Sequence, residues 1–141
     1  MESKATAQWN GSLKEGKGTI SANSGTLTSV PYTFATRFEG AKGTNPEELI
    51  AAAHSACFSM ALAAELGKSQ ITPEKIETSS SVVLEKQDSG FAVTESRLTT
   101  VVTAMGADRA KIEIAAAGAK ENCPISKLLN AKISLSLTVN T

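Results

Sequence analysis

The chain carries two cysteines, Cys57 and Cys123, and a single histidine, His54. A thiolate is a strong nucleophile, and two thiols can cycle through a disulfide, so redox chemistry is one reading of the pair. The competing reading is two buried, inert thiols that pack as small hydrophobes. Metal chemistry fits poorly. There is no Cys-x-x-Cys spacing, and one histidine cannot complete a tetrahedral N/S site, so neither a metal nor a bound cofactor is expected.

The two cysteines have different surroundings. Cys57 falls in the middle of an apolar run, where desolvation disfavours the thiolate. Even an unperturbed thiol of pKa about 8.5 is only about 3% ionised at pH 7. Reactivity at Cys57 therefore requires a nearby cation. Cys123 precedes Pro124 and suits the cap of a short helix, where backbone amides favour a thiolate. The local sequence alone does not decide which cysteine attacks first. His54 lies three residues before Cys57 on the same helical face and could pair with it; otherwise it is a buried histidine bonded to a backbone carbonyl. Arg37 lies just upstream of the apolar run and could supply the cation. Glu47 and Glu48 stand at the helix start, where carboxylates suit the dipole.

These residues need a scaffold. Asn45 as cap, Pro46 as first helical residue and Glu48 at the capping-box position predict a helix ending near Leu66, with Gly67 as its stop. Leu49 to Leu66 is interrupted only by His54, Ser55, Ser59 and Glu65. A helix apolar all round is expected to be buried all round, against a sheet on one face and a partner subunit on the other. Upstream, Lys4 to Trp9, Lys17 to Ser21, Gly25 to Val30 and Thr33 to Phe38 read as short strands or extended segments. Ile76 to Lys86 and Phe91 to Met105 form a long hairpin around Asp88-Ser89-Gly90. Arg109 to about Glu121 predicts a helix, and Pro124 to Asn130 a short helical piece. Ile133, Leu135, Leu137 and Val139 alternate with polar residues, predicting a half-buried antiparallel strand. The class is α+β.

With 141 residues, 41% apolar and 20% charged, the chain reads as one soluble domain spanning 1–141. Lys+Arg and Asp+Glu both number 14, and no basic run occurs, which argues against nucleic acid as a partner. Met1 to Gly11 is polar and lacks a signal-peptide core, so a cytoplasmic location is expected, with no membrane partner.

The motifs resemble the OsmC/Ohr family, and its OsmC branch in particular. They are Thr36-Arg37-Phe38-Glu39-Gly40, Gly43-Thr44-Asn45-Pro46-Glu47-Glu48-Leu49-Ile50, Ala53-His54-Ser55-Ala56-Cys57-Phe58-Ser59-Met60-Ala61-Leu62 and Asn122-Cys123-Pro124-Ile125-Ser126. Trp9-Asn10-Gly11 and Gly16-Lys17-Gly18-Thr19 also fit. Ala51 and Ser55 depart from the residues often seen in relatives, but both are small. The resemblance implies an intertwined homodimer whose long central helices are wrapped by antiparallel sheets. It implies a thiol peroxidase that reduces organic hydroperoxides, with Cys57 as the peroxidatic cysteine and Cys123 as the resolving one. It further implies that Arg37 activates the thiol and that Glu47 holds Arg37. The Ohr branch takes its arginine from an earlier position, and the family has no constant counterpart of His54. An external dithiol, of lipoyl type, is the implied reductant.

Glu47 and Cys57 are ten residues apart, about 15 Å of rise on one straight helix. Either the helix is broken, or Arg37 and Glu47 serve the Cys57 of a partner chain; the second is favoured. Phe38, Phe58 and Met60 are candidates to line an alkyl pocket, with plain core packing the other reading for each. Outside the peroxidase reading stand a structural or ligand-binding dimer with inert thiols, and a redox sensor that signals through a partner.

Overall fold

The computed structural model describes residues 1–141. The chain divides into two compact units, Met1–Leu49 and Ile50–Thr141. The first holds an antiparallel three-stranded sheet, β1 (Ala5–Asn10), β2 (Lys17–Ala22) and β3 (Val30–Tyr32), in that order. Trp9 and Tyr32 bring their rings to 5.3 Å over the β2 backbone. Gly18 lies beneath them, and a Cβ there would collide with both rings.

Two upstream expectations fail. Most of Gly25 to Val30 is turn rather than strand, with Gly25 at φ 78° and Ser29 at φ 49°. The segment expected to be extended from Thr33 is instead helix α1 (Phe34–Phe38). Thr33 and Thr36 bond reciprocally as a capping box, and the Phe34 and Phe38 rings pack in a tilted contact one turn apart, centroids 4.8 Å. Together these outweigh the β preference of the individual residues.

Helix α2 (Pro46–Lys68) is unbroken. Asn45 Oδ1 accepts from the Glu48 amide at 2.9 Å, as a cap should, while the Glu48 carboxylate takes the Thr44 hydroxyl. Gly67 lies inside the helix; the chain turns out at Gln70, φ 58°.

In the second unit, β4 (Lys75–Gln87) and β5 (Gly90–Thr103) form the expected hairpin. Helices α3 (Arg109–Asn122) and α4 (Pro124–Leu128) follow, then β6 (Lys132–Asn140). The sheet order is β4-β5-β6, and β6 runs parallel to β5, not antiparallel. Period-two patterning is blind to strand direction. The α3–α4 crossover returns the chain to the end where β5 began, which a parallel pair requires. Leu98 and Val102 of β5 face Phe58, Leu62 and Leu66 of α2 and Ile112, Ala116 and Ala119 of α3, all buried in one core.

Burial of α2 on all sides is not achieved within the chain. His54, Phe58, Leu62 and Leu66 form a covered stripe, while Ala52, Ala53, Ala56, Met60, Ala63 and Ala64 are exposed. By length and composition alone α2 is long and apolar enough to cross a bilayer, and 22% of its apolar window is covered within the chain.

Candidate active site

The expected site residues fall into two groups, one in each unit. In the first unit, α1 presents Arg37 and the first turn of α2 presents Glu47. Arg37 Nη2 donates to Glu47 Oε1 at 2.7 Å, and Nε lies 3.2 Å from each carboxylate oxygen. Asn45 Nδ2 donates to the Thr36 carbonyl and fixes α1 against the start of α2. The guanidinium sits 5.2 Å from the Phe38 ring centroid. Glu47 is buried, whereas Arg37 is exposed, with 36% of its side chain accessible. A two-point pair of this kind holds a guanidinium in a fixed plane, and Nη1 is left without a carboxylate partner.

Beside Arg37 is a cavity of about 250 Å³, lined by Trp9, Tyr32, Phe34, Arg37, Phe38 and Pro46 among others. Of the three expected pocket residues, only Phe38 lines it. Phe58 is fully buried in the second unit's core, and Met60 is 76% exposed on α2. The aromatic lining from Trp9, Tyr32 and Phe34 was not anticipated: those residues sit on three separate elements with no shared spacing.

In the second unit, α2 and the α3–α4 junction bring Cys57 and Cys123 together as free thiols within hydrogen-bonding reach. Cys123 closes α3 and opens α4. Cys57 is half-buried, whereas Cys123 is fully buried. Burial pushes the Cys57 thiol up, and its hydrogen bond to Cys123 adds to that, against a smaller opposing effect of the Ile125 amide. Burial also works against ionising Cys123. The hydrogen bond from Cys57, the amides of Ser126 and Ile125 and the Ser126 hydroxyl outweigh it, so Cys123 lies below the ordinary thiol range. Within one chain, negative charge is thus better held at Cys123 than at Cys57.

His54 does not bond a backbone carbonyl. It is fully buried, with Nδ1 2.6 Å from Ser96 Oγ and Nε2 2.8 Å from Ser126 Oγ. Burial lowers its pKa, so the ring is neutral.

Two free thiols that hydrogen-bond one another, on an α+β frame with a helix-mounted cysteine, define a two-cysteine thiol protein. Residues 39–138 match the family model described as OsmC-like protein. The chain is 50% identical to "Peroxiredoxin OsmC" of Escherichia coli (strain K12), over 96% of this chain and 94% of that protein. It is 35% identical to "Organic hydroperoxide resistance protein OhrB" of Bacillus subtilis (strain 168), over 70% and 71%. The crystal structure of the Bacillus subtilis OhrB superposes with TM-score 0.74 at 29% identity, covering 96% of this chain and 98% of that one. An OsmC-like protein from Mycoplasma pneumoniae shares the fold at TM-score 0.77 and 17% identity, over 100% and 99%. The chain belongs to the OsmC-like family.

Proposed function

We propose that the chain is a cysteine-based peroxidase that reduces organic hydroperoxides to alcohols. The observation that carries this reading is the placement of Cys57 and Cys123, distant in sequence, within reach of one another. The names of the relatives, a peroxiredoxin and an organic hydroperoxide resistance protein, support it.

Accessibility supports Cys57 as the attacking cysteine and Cys123 as the resolving one. A peroxide can approach half-buried Cys57 but not fully buried Cys123. The Cys57 thiolate attacks the terminal peroxide oxygen, the O–O bond breaks, and the alkoxide leaves as alcohol after taking a proton. The Cys57 sulfenic acid condenses with Cys123 to a disulfide and releases water. An external dithiol, of lipoyl type, then reduces the disulfide and is itself oxidised. The cavity beside Arg37 suits an alkyl or aryl group, which favours organic hydroperoxides over hydrogen peroxide. In a steady-state assay with a dithiol, kcat/KM for an alkyl hydroperoxide should exceed that for hydrogen peroxide at least about tenfold, the scale of one or two buried methylenes. Equal values would remove the role of the cavity.

The thiolate on Cys57 needs a cation, since within one chain Cys123 holds the charge better. On unbroken α2, Glu47 and Cys57 are separated by about 15 Å of rise. We therefore assign Arg37 and Glu47 to the Cys57 of a second copy, in a homodimer that covers the exposed alanine face of α2. Arg37→Ala and the interface variant Ala56→Glu should then have the same effect. Both should move the pH profile of Cys57 alkylation upward, because each removes the same guanidinium. A shift in the first alone, in a chain that has become monomeric through the second, would place the arginine in cis.

A further inference from the structure

Four hydrogen-bonding groups beside the cysteines remain outside that cycle. Ser80 Oγ lies 2.9 Å from Ser96 Oγ, Ser96 Oγ lies 2.6 Å from His54 Nδ1, and His54 Nε2 lies 2.8 Å from Ser126 Oγ. The Ser126 hydroxyl in turn reaches the Cys123 sulfur. The line thus runs from a buried sulfur, through α4, α2 and β5, to Ser80 on β4. Ser80 is only partly buried, and β4 is an outer strand of its sheet.

Each hydroxyl has one hydrogen to give, and a neutral imidazole has one. The chain therefore has a single polarity at any moment. With Cys123 as thiolate, Ser126 donates to sulfur, His54 Nε2–H donates to Ser126, Ser96 donates to Nδ1 and Ser80 donates to Ser96. With Cys123 as thiol, every bond reverses and His54 carries its hydrogen on Nδ1. Moving one proton from Cys123 to the Ser80 end is this reversal and nothing more. No charged group interrupts it. Glu95 and Arg97 flank Ser96 but point to the other face of β5, where they bond one another. On β4, Ser80 is flanked by Ser79 and Ser81, and on α4, Lys127 beside Ser126 is exposed. Within one chain, the other titratable groups at the line are Cys57 and Cys123.

We propose that Ser126, His54, Ser96 and Ser80 form a proton relay that withdraws the proton from Cys123 before it attacks the Cys57 sulfenic acid and returns it on reduction. This rests on the peroxidase reading. In closure, the Cys123 sulfur bonds to Cys57 sulfur, the S–O bond breaks, and hydroxide leaves as water with a proton from solvent. The proton of Cys123 exits along the line. When the dithiol reduces the disulfide, Cys123 leaves as thiolate and recovers its proton by the reverse route. Ser126 touches the reacting sulfur; His54, Ser96 and Ser80 act through it as positioning residues.

The test is single-turnover oxidation by an alkyl hydroperoxide, quenched over time, with sulfenic acid and disulfide counted by mass spectrometry. His54→Gln keeps a hydrogen-bonding side chain but cannot exchange tautomers, and Ser126→Ala removes one hydroxyl. In both, the ratio of closure rate to Cys57 oxidation rate should fall about tenfold or more at pH 7. It should recover as the pH is raised into the alkaline range, where Cys123 ionises without the relay even though burial opposes it. Ser126→Thr, which keeps the hydroxyl, should restore the ratio. If His54→Gln fails to fold, Ser126→Ala with its threonine rescue decides. An unchanged ratio in a folded variant overturns the relay, as does a loss equal at every pH, which marks misplacement of the sulfurs. If wild-type Cys57 is not oxidised at all, the peroxidase reading falls first and the relay falls with it.

Discussion

Cys57→Ser should cut hydroperoxide turnover by roughly a thousandfold or more, the scale seen when a nucleophile is removed from a preorganised site. Serine fills nearly the same space on α2, so the core of Phe58, Leu62 and Leu66 should be undisturbed. The loss would therefore be chemical. A hydroxyl is far weaker than a thiol as a nucleophile toward oxygen and forms no counterpart of the sulfenic acid. Steady-state rates with a dithiol in excess, together with an unchanged thermal midpoint, make the measurement. Residual activity near the wild-type value would mean that Cys123 or an external thiol does the work.

Cys123→Ser should fail differently. Attack by Cys57 still proceeds, because the peroxide meets the half-buried thiol first. Each chain should consume one equivalent of hydroperoxide and stop, with Cys57 held as a sulfenic acid that mass spectrometry detects as one added oxygen. Steady-state turnover should fall by about a hundredfold or more, since the dithiol must now attack a sulfenic acid inside the fold rather than a disulfide. The same substitution also replaces the more readily ionised thiol that pushes Cys57 up with a hydroxyl that stays neutral. Cys57 alkylation in this variant should thus shift to lower pH. Normal cycling of Cys123→Ser with a dithiol would remove Cys123 from the resolving role.

The legible parts of the fold were those with local physical causes. The start of α2 is written in Asn45-Pro46, and the β4–β5 hairpin in its Val- and Thr-rich strands around Asp88-Ser89-Gly90. What the residues concealed was set by tertiary relations. The direction of β6 follows from the α3–α4 crossover, which alternation cannot register. Helix α1 depends on a threonine pair at Thr33 and Thr36 and a phenylalanine pair one turn apart, signals too short to outweigh extended-looking neighbours. The division into two units has no linker to announce it, because it falls inside α2.

The candidate site was legible in a similar way. The Arg37–Glu47 pair and the meeting of Cys57 with Cys123 came from the family resemblance; Arg37 does bond Glu47, and the two thiols do hydrogen-bond. The lowered pKa of Cys123 owes most to its hydrogen bond with Cys57, and its place before Pro124 adds the Ser126 and Ile125 amides. Phe58 turned out to be core, because its position on the covered stripe of α2 aims it at Leu98 and Val102. Ser126 stood within the second cysteine motif, yet its bond to His54 crosses between elements. Ser80 and Ser96 carried no signal at all, being two hydroxyls among many in a serine-rich hairpin.

Cys57 and Cys123 of one chain should close on each other when a hydroperoxide is reduced. The direct measurement is peptide mass spectrometry after one equivalent of an alkyl hydroperoxide per chain, without reductant and with free thiols blocked. The expected product is a Cys57–Cys123 bridge within a single chain, two hydrogens lighter than the reduced pair and reopened by a dithiol. Two intact thiols after the peroxide is consumed, or bridges found only between chains, would contradict it.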